Sequence, residues 1–160
     1  MRINNTDSIK IIPPIYIVLI AVFITNFFLN LSFIGSEDPI RFSFFLPNII
    51  TFVVGVYFYR IGVSFEFDGE GEVLAFKNNG VFISNFFKYR LKKIEFPRRK
   101  LAKYSVTNFF IYATITLYIK SRRKGGLKKV TLNITLLNRK KKRQLITALK
   151  HSLEQSKAAA

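Results

Sequence analysis

Two long stretches of the chain contain no charged residue, and they constrain its fold more than any other feature. They cover residues 11–36 and 42–59, and a short acidic connection at 37–41 separates them. A membrane hydrocarbon core about 30 Å thick needs roughly 20 apolar residues in a helix, and each stretch is about that long. All but three of the 26 Lys and Arg residues follow the second stretch. The pattern predicts a hairpin of two membrane-spanning helices that holds a basic domain against one face of a bilayer.

The positive charges beside these stretches predict the orientation of the hairpin. Lys and Arg accumulate on the cytoplasmic side of membrane helices. Arg2 and Lys10 precede the first stretch, and Arg60 begins the basic region after the second, whereas the connection carries only Arg41. We therefore expect both termini to be cytoplasmic. A composition rich in Phe, Ile, Asn and Lys, without Trp, is typical of an AT-rich bacterial coding sequence. The expected location is thus the bacterial cytoplasmic (inner) membrane, as a multi-pass protein.

These boundaries divide the chain into six segments. We expect a cytoplasmic N-terminal segment at 1–10, membrane helices at 11–34 and 42–60, a short external loop at 35–41, a basic cytoplasmic domain at 62–156, and a tail at 157–160 that is a frayed helix end or a remnant of cloning.

Two alternatives to this topology fit the sequence less well. If the apolar stretches were buried helices of a soluble protein, the remainder of about 100 residues could hardly cover both. A third crossing at residues 104–119, which also lack charge, would place the basic residues that follow it outside, against the charge rule. Apolar and other residues alternate there with a period of two, which predicts a strand.

Four residues within the predicted spans are candidates for helix packing. Asn26 and Asn30 lie one turn apart on one helix face, and Pro47 and Asn48 interrupt the second apolar stretch. Polar side chains in membrane helices form interhelical hydrogen bonds that contribute about 0.6 to 2 kcal/mol each. Two interpretations stay open: these residues join the two helices of the hairpin, or they dock another membrane subunit.

The region after the hairpin shows short strands separated by turns and then a helix. Asn138 is a favourable N-cap residue, and Leu145, Ile146, Leu149 and Leu153 form one apolar stripe beyond it. The prediction is a mainly-β domain of about six or seven antiparallel strands with a C-terminal amphipathic helix. The expected strands lie at 63–67, 73–77, 81–84, 86–91, 93–96, about 109–120, and 130–137.

A helical hairpin followed by strands and one closing helix resembles the bacterial pleckstrin-homology-like (PH-like) membrane proteins. Residues 88–96 resemble a strand of that group that reads basic and then apolar, and residues 134–138 with Leu145 and Leu149 resemble its last strand and closing helix. The resemblance covers about residues 62–155. It implies a lipid- or protein-binding scaffold without catalytic residues, and it transfers no functional position.

Catalytic and metal chemistry finds little support in the sequence. The absence of Cys excludes disulfides, thiolate metal sites and Cys nucleophiles. The one carboxylate cluster, at Glu66, Asp68, Glu70 and Glu72, lacks the spacing of a calcium loop of about 12 residues, and we interpret it as a polar hairpin tip. His151 is the sole His, and no Ser, Cys or Asp stands at a recognisable spacing from it, so we interpret it as a helix-surface residue. We expect no catalytic residue, no metal and no cofactor.

A net charge of +17 predicts an anionic partner. The most informative basic run occupies the start of the predicted last helix, where the helix dipole disfavours cations by a few tenths to about 1 kcal/mol each. Three interpretations stay open: a solvated surface, contact with anionic headgroups, which gains about 1 kcal/mol per basic residue, or binding of nucleic acid or an acidic protein. The candidate anion-binding residues are Arg98, Arg99, Lys100, Lys103, Arg122, Arg123, Lys124, Lys128, Lys129, Arg139, Lys140, Lys141, Lys142 and Arg143.

The leading hypothesis for function is a non-enzymatic integral membrane protein. Its hairpin anchors a basic PH-like domain at the inner leaflet, where the domain contacts anionic phospholipids and serves as a scaffold or accessory subunit of a membrane protein complex. One alternative is a membrane-tethered nucleic-acid-binding protein, whose affinity would fall steeply with salt. Another is a small adaptor subunit that acts through its hairpin.

Overall fold

The structure, a computed structural model, describes residues 1–32, 40–81, 91–121 and 126–158. Over these residues the chain forms four α-helices, seven β-strands and a short 3₁₀ turn at Arg98–Lys100. The helices are α1 (Thr6–Ile9), α2 (Ile12–Ser32), α3 (Ile40–Ile61) and α4 (Arg139–Ala158). The strands are β1 (Arg2–Asn4), β2 (Val63–Asp68), β3 (Val73–Gly80), β4 (Lys92–Pro97), β5 (Leu101–Phe109), β6 (Tyr112–Lys120) and β7 (Leu127–Asn133).

The N-terminal apolar stretch forms the one helical segment of the described chain that is long and apolar enough to cross a membrane. This segment, Thr6–Leu31, has a mean hydropathy of 2.3, and most of its side chains are exposed. The second predicted span coincides with α3, whose described apolar part, Leu46–Ile61, is shorter. One membrane-spanning helix therefore follows from length and composition, and the second stays a prediction.

Helices α2 and α3 pack against each other in antiparallel directions. A shallow apolar groove lies between the helices, and Tyr16 and Phe23 of α2 line it together with Thr51 and Tyr59 of α3. The helix α3 continues through Pro47. Because both helices expose mainly aliphatic and aromatic side chains, the pair is compatible with a lipid environment.

The strands form two antiparallel sheets, with orders β1-β2-β3-β4 and β5-β6-β7. The predicted antiparallel β-structure and the C-terminal helix are confirmed. The predicted strand at 73–77 extends to Gly80 because its partners β2 and β4 continue beside it. The strands predicted at 81–84 and 86–91 fall mainly on residues 82–90, which lie outside the described residues.

The second sheet differs from the sequence prediction at two places. The strand expected at about 109–120 begins only at Tyr112, because the chain turns at Phe110 and Ile111 and pairs β6 with β5. The turn falls within a run of four apolar residues, Phe109–Tyr112, that contains no Gly, Pro, Asn or Asp, so the sequence does not mark it. The strand expected at 130–137 ends at Asn133, because the Asn133 side chain accepts at Oδ1 from the Thr135 N–H (2.9 Å) and the chain turns there instead.

Strand β1 is a feature that the sequence did not predict. Ile3 of β1 is buried in the core, and Arg2, Ile3 and Asn4 pair with Asp68, Phe67 and Glu66 of β2. The first strand of the β-domain therefore precedes α2 and α3, and the two helices are an insertion between two neighbouring strands. The folded unit includes residues 2–4 in addition to the predicted domain.

The hydrophobic core lies between the two sheets and α4. It contains Phe65, Phe67 and Phe76 from the first sheet and Ile115 and Leu117 from the second. As the apolar stripe predicts, Leu145 and Leu149 of α4 are fully buried in this core, and Leu153 packs against it. Helix α4 therefore has a fixed position, and its opposite face is free to line a surface site.

Candidate anion-binding groove

The β-domain is attached to the helix pair without a flexible linker. Asn5, which is buried, donates from Nδ2 to the Val63 carbonyl (2.9 Å) and accepts at Oδ1 from the Phe65 N–H (2.9 Å). Its own N–H donates to the Phe65 carbonyl (3.2 Å). The Asn5 side chain thus continues the β1–β2 hydrogen-bond ladder by making bonds to β2 that backbone groups would otherwise make. On the other side, Gly62 alone separates α3 from β2.

This attachment defines two ends of the domain. The near end adjoins α2 and α3. It contains Val63, Gly80 and Lys92, the β4 residue that pairs with Asn78. The second sheet reaches the same end, because Asn133 Nδ2 donates to the Arg60 carbonyl (3.1 Å). The far end contains the β2–β3 connection and the 3₁₀ turn.

A groove of about 820 Å³ lies along α4, and several cations line it. We call it the α4 groove. Its apolar part is formed by Phe67, Leu74 and Ala148, and its cations come from Arg98 and from α4. The full lining is Met1, Phe67, Gly69, Leu74, Arg98, Arg139, Lys140, Arg143, Gln144, Thr147, Ala148, His151 and Ser152.

Helical spacing explains why α4 supplies most of this lining. Arg139, Arg143, Thr147 and His151 follow one another at intervals of four residues, so they lie on one face. Over the distance from Arg139 to His151 the helix rises about 18 Å. The groove therefore runs from the near end, where Arg139 lies, towards the far end, where His151 and Arg98 line it.

Arg98 is held at the far end of the groove by contacts with two segments, the β2–β3 connection and α4. Its Nη2 donates to the Gly69 carbonyl, its Nη1 donates to Gln155 Oε1 of α4 (3.3 Å), and its backbone N–H donates to the Glu72 carbonyl (2.9 Å). Its buried Nε has no hydrogen-bond acceptor among the described residues. The guanidinium therefore links the β2–β3 connection to α4 and keeps its charge at the groove.

The start of α4 concentrates positive charge. Asn138 caps the helix, since its Oδ1 accepts from the Lys140 N–H (3.4 Å). Burial, followed by the charge of Arg139, lowers the pKa of Lys142 below its usual value. Lys141 forms an ion pair with Asp7 of α1 (3.3 Å). Among the described residues that line the groove none is acidic, so an anion there would relieve repulsion between the cations.

The other predicted basic residues occupy different places. Arg99 and Lys100 lie in the 3₁₀ turn, Lys103 is exposed on β5, and Lys128 and Lys129 are exposed on β7. Arg122, Arg123 and Lys124 lie outside the described residues. Of the predicted set, the structure brings Arg98, Arg139, Lys140 and Arg143 together in the groove. Sequence reasoning missed His151 as a groove residue, although its spacing of four and eight residues from Thr147 and Arg143 was a usable signal.

One hydrogen bond of the predicted packing residues lies within a single helix. Asn30 Nδ2 donates to the Asn26 carbonyl of the same helix (2.8 Å). Asn48 Oδ1 of α3 is buried and has no hydrogen-bond partner among the described residues. These contacts leave both interpretations of the predicted packing residues open.

The carboxylates of the β2–β3 connection are engaged in local interactions. Glu70 pairs with the N-terminal ammonium of Met1 (3.0 Å), and Asp68 Oδ1 accepts from the Glu70 N–H (3.0 Å). Within the described ranges, no group of three or more His, Cys, Asp or Glu side chains is placed to hold a metal ion.

Comparison with known proteins adds no relative: no family model, no curated protein and no solved structure matches this chain.

Proposed function

We propose that this protein is a non-enzymatic integral membrane protein that holds a PH-like domain against the inner leaflet of a bacterial membrane, where the α4 groove binds anionic phospholipid. In this proposal α3 is the second membrane-spanning helix, both termini are cytoplasmic, and the domain serves as a scaffold or accessory subunit of a membrane complex. The observation that carries the proposal is the insertion of α2 and α3 between β1 and β2. Because both connections lie at one end of the domain, a membrane around the helices would meet that end.

The strand arrangement supports the PH-like part of the proposal. A four-stranded and a three-stranded antiparallel sheet enclose one core, and a C-terminal helix closes it. The resemblance implies antiparallel strands closed by one C-terminal helix, and the domain contains both. The helix pair then takes the place of a connection between the first two strands.

The position of the α4 start supports contact with headgroups. Lys141 is paired with Asp7, which lies five residues before the start of α2. Five helical residues span about 8 Å along the helix axis. The distance from Asp7 to the start of α2 is therefore about one Debye length at physiological salt. Lys129, by contrast, lies four residues along β7 from the near-end residue Asn133, or about 13 Å at the rise of a strand. The α4 start should therefore dominate lipid binding.

The test compares two pairs of substitutions in the full chain, solubilised in a mild non-ionic detergent. The probes are dihexanoyl phosphatidylglycerol, which is anionic, and dihexanoyl phosphatidylcholine, which is zwitterionic, and the measurement is the midpoint of thermal unfolding. A ligand present at 100 times its Kd stabilises a protein by about 2.7 kcal/mol, which for a chain of this length raises Tm by about 5–10 °C. We expect this increase with the anionic lipid only.

The groove variant Arg139→Gln with Arg143→Gln should abolish the increase, whereas the matched control Lys128→Gln with Lys129→Gln should retain it. Removing cations from the first turn of α4 also removes unfavourable interactions with the helix dipole, so the groove variant should still fold. Equal responses of the two variants would contradict lipid binding in the groove. A larger, strongly salt-dependent response to a single-stranded oligonucleotide would favour the nucleic-acid alternative.

A further inference from the structure

The turn between β5 and β6 exposes four consecutive apolar residues, Phe109, Phe110, Ile111 and Tyr112. Phe110 is fully exposed, and the exposed fractions of Phe109 and Ile111 are 68% and 57%. Tight turns in water usually carry Gly, Asn, Asp, Ser or Pro, and none of these occupies the four positions. We call Phe109–Tyr112 the β5–β6 tip. An exposed apolar cluster of this kind marks an interaction surface.

The β5–β6 tip lies beside the last turns of α3. The Tyr57 hydroxyl of α3 donates to the Ile111 carbonyl (3.2 Å). Tyr57 precedes the end of α3 at Ile61 by four residues, or about 6 Å along the helix axis. Side chains of a helix lean towards its N-terminus, so the hydroxyl lies still farther from the domain. The tip therefore extends past the end of α3, along the helix surface.

The charge distribution of this hairpin matches that position. Residues 104–119 carry no charge, and the nearest charged residues along the two strands, Lys103 and Lys120, lie at the opposite end of the hairpin. The β2–β3 hairpin at the far end is acidic instead, since Asp68, Glu70 and Glu72 lie at its tip. The apolar hairpin thus adjoins the helix pair, and the acidic one points away from it.

We propose that the β5–β6 tip inserts into the interfacial layer of the same leaflet that α2 and α3 cross. The partner is the lipid bilayer itself: Tyr, here Tyr112, is favoured at headgroup level, and apolar groups such as Phe that lie in this layer reach about 5–10 Å into the boundary of the acyl chains. Together with the two helices, the tip makes a third contact with the bilayer, and this contact fixes the rotation of the domain about the helix axis. The inference rests on the proposed function, because it requires that α3 lies in a membrane.

The experiment uses a single Trp as a depth probe, which is possible because the chain contains no Trp. The full-length variant Phe110→Trp is reconstituted into phosphatidylcholine–phosphatidylglycerol vesicles with and without brominated acyl chains. We expect blue-shifted emission that the brominated lipids quench. Since Phe110 is fully exposed, the substitution removes no packing contact.

Two further variants make the result decisive. Leu127→Trp replaces an exposed apolar residue (56%) at the far end, and its emission should stay red-shifted and unquenched. Phe52→Trp, in the middle of α3 and 69% exposed, should be quenched if α3 lies in the bilayer. Quenching of Phe52→Trp without quenching of Phe110→Trp would overturn tip insertion and leave the membrane anchor intact. Absence of quenching for Phe52→Trp would instead overturn the proposed function.

Discussion

Replacement of Asn5 by Ala tests the idea that one buried side chain fastens the domain to the helix pair. Asn5 Nδ2 donates to the Val63 carbonyl and Oδ1 accepts from the Phe65 N–H, both at 2.9 Å. The substitution removes both hydrogen bonds and leaves two backbone groups of buried residues without these partners. The backbone bond from the Asn5 N–H to the Phe65 carbonyl is retained.

The expected loss of stability follows from those two groups. Leaving a buried donor or acceptor unsatisfied costs about 1–3 kcal/mol each. Water that enters the small space left by the amide would recover part of this, so we expect the free energy of unfolding to fall by about 2–4 kcal/mol. The measurement is denaturant unfolding of the full chain in mild detergent, followed by the β-sheet signal of circular dichroism.

Two controls separate the hydrogen bonds from other effects. Asn108→Ala replaces an exposed Asn on β5 and should change the free energy of unfolding by less than about 0.5 kcal/mol. Asn5→Asp keeps the shape of the side chain, and only its protonated form can donate to Val63; its stability relative to wild type should therefore rise as the pH falls towards the ordinary Asp pKa of about 3.9. A change below about 0.5 kcal/mol for Asn5→Ala would refute the reasoning.

Two more predictions concern the junction and the core. Gly62→Ala should lower the free energy of unfolding in detergent by about 1–3 kcal/mol, because a Cβ at this position would lie 2.8 Å from the Phe58 carbonyl oxygen; Gly55→Ala, with no atom within 4 Å of the new Cβ, should be nearly neutral, and equal effects would contradict the steric argument. Leu149→Ala removes a fully buried side chain and should cost about 2–5 kcal/mol, whereas Lys150→Ala, at an exposed position, should cost less than about 0.5 kcal/mol in the same assay.

The elements that the sequence predicted well are those whose signal is local and long. The Thr6–Leu31 segment contains a long uncharged, mainly apolar run from residue 11 onwards, and α4 repeats its apolar residues with a helical period that places Leu145 and Leu149 in the core. Strand β2 alternates buried and half-buried residues along its whole length. In each case one element contains enough residues to display its own periodicity.

Predictions failed where a turn carried no typical turn residue or where a side chain replaced a backbone partner. The turn at Phe110 and Ile111 lies within an apolar run without Gly, Pro, Asn or Asp, so the sequence does not distinguish one long strand from a hairpin. At the end of β7, the bonds from Thr135 to Asn133 and Ala113 end the strand in an apolar run that looks extended.

The candidate site was predictable in part. The cations at the start of α4 stand out in the sequence, because they occupy a helix end that disfavours positive charge. The groove itself was not predictable, since Arg98, Phe67 and His151 come from three separate segments. Only the packing of α4 across the core brings these residues together. The placement of the β5–β6 tip beside α3 depends in the same way on a contact between Tyr57 and Ile111.

The sequence by itself determined that apolar helices and a basic domain follow one another along the chain, because hydrophobicity and charge are properties of each segment. Only the tertiary structure decided that β1 belongs to the β-domain. A strand of three residues, Arg2–Asn4, is too short to show a period, and its pairing with β2 joins residues about 60 positions apart in the chain, as Asn5 and Phe65 are. That pairing makes the two uncharged stretches an insertion within the domain, and it decides which end of the domain adjoins the helices.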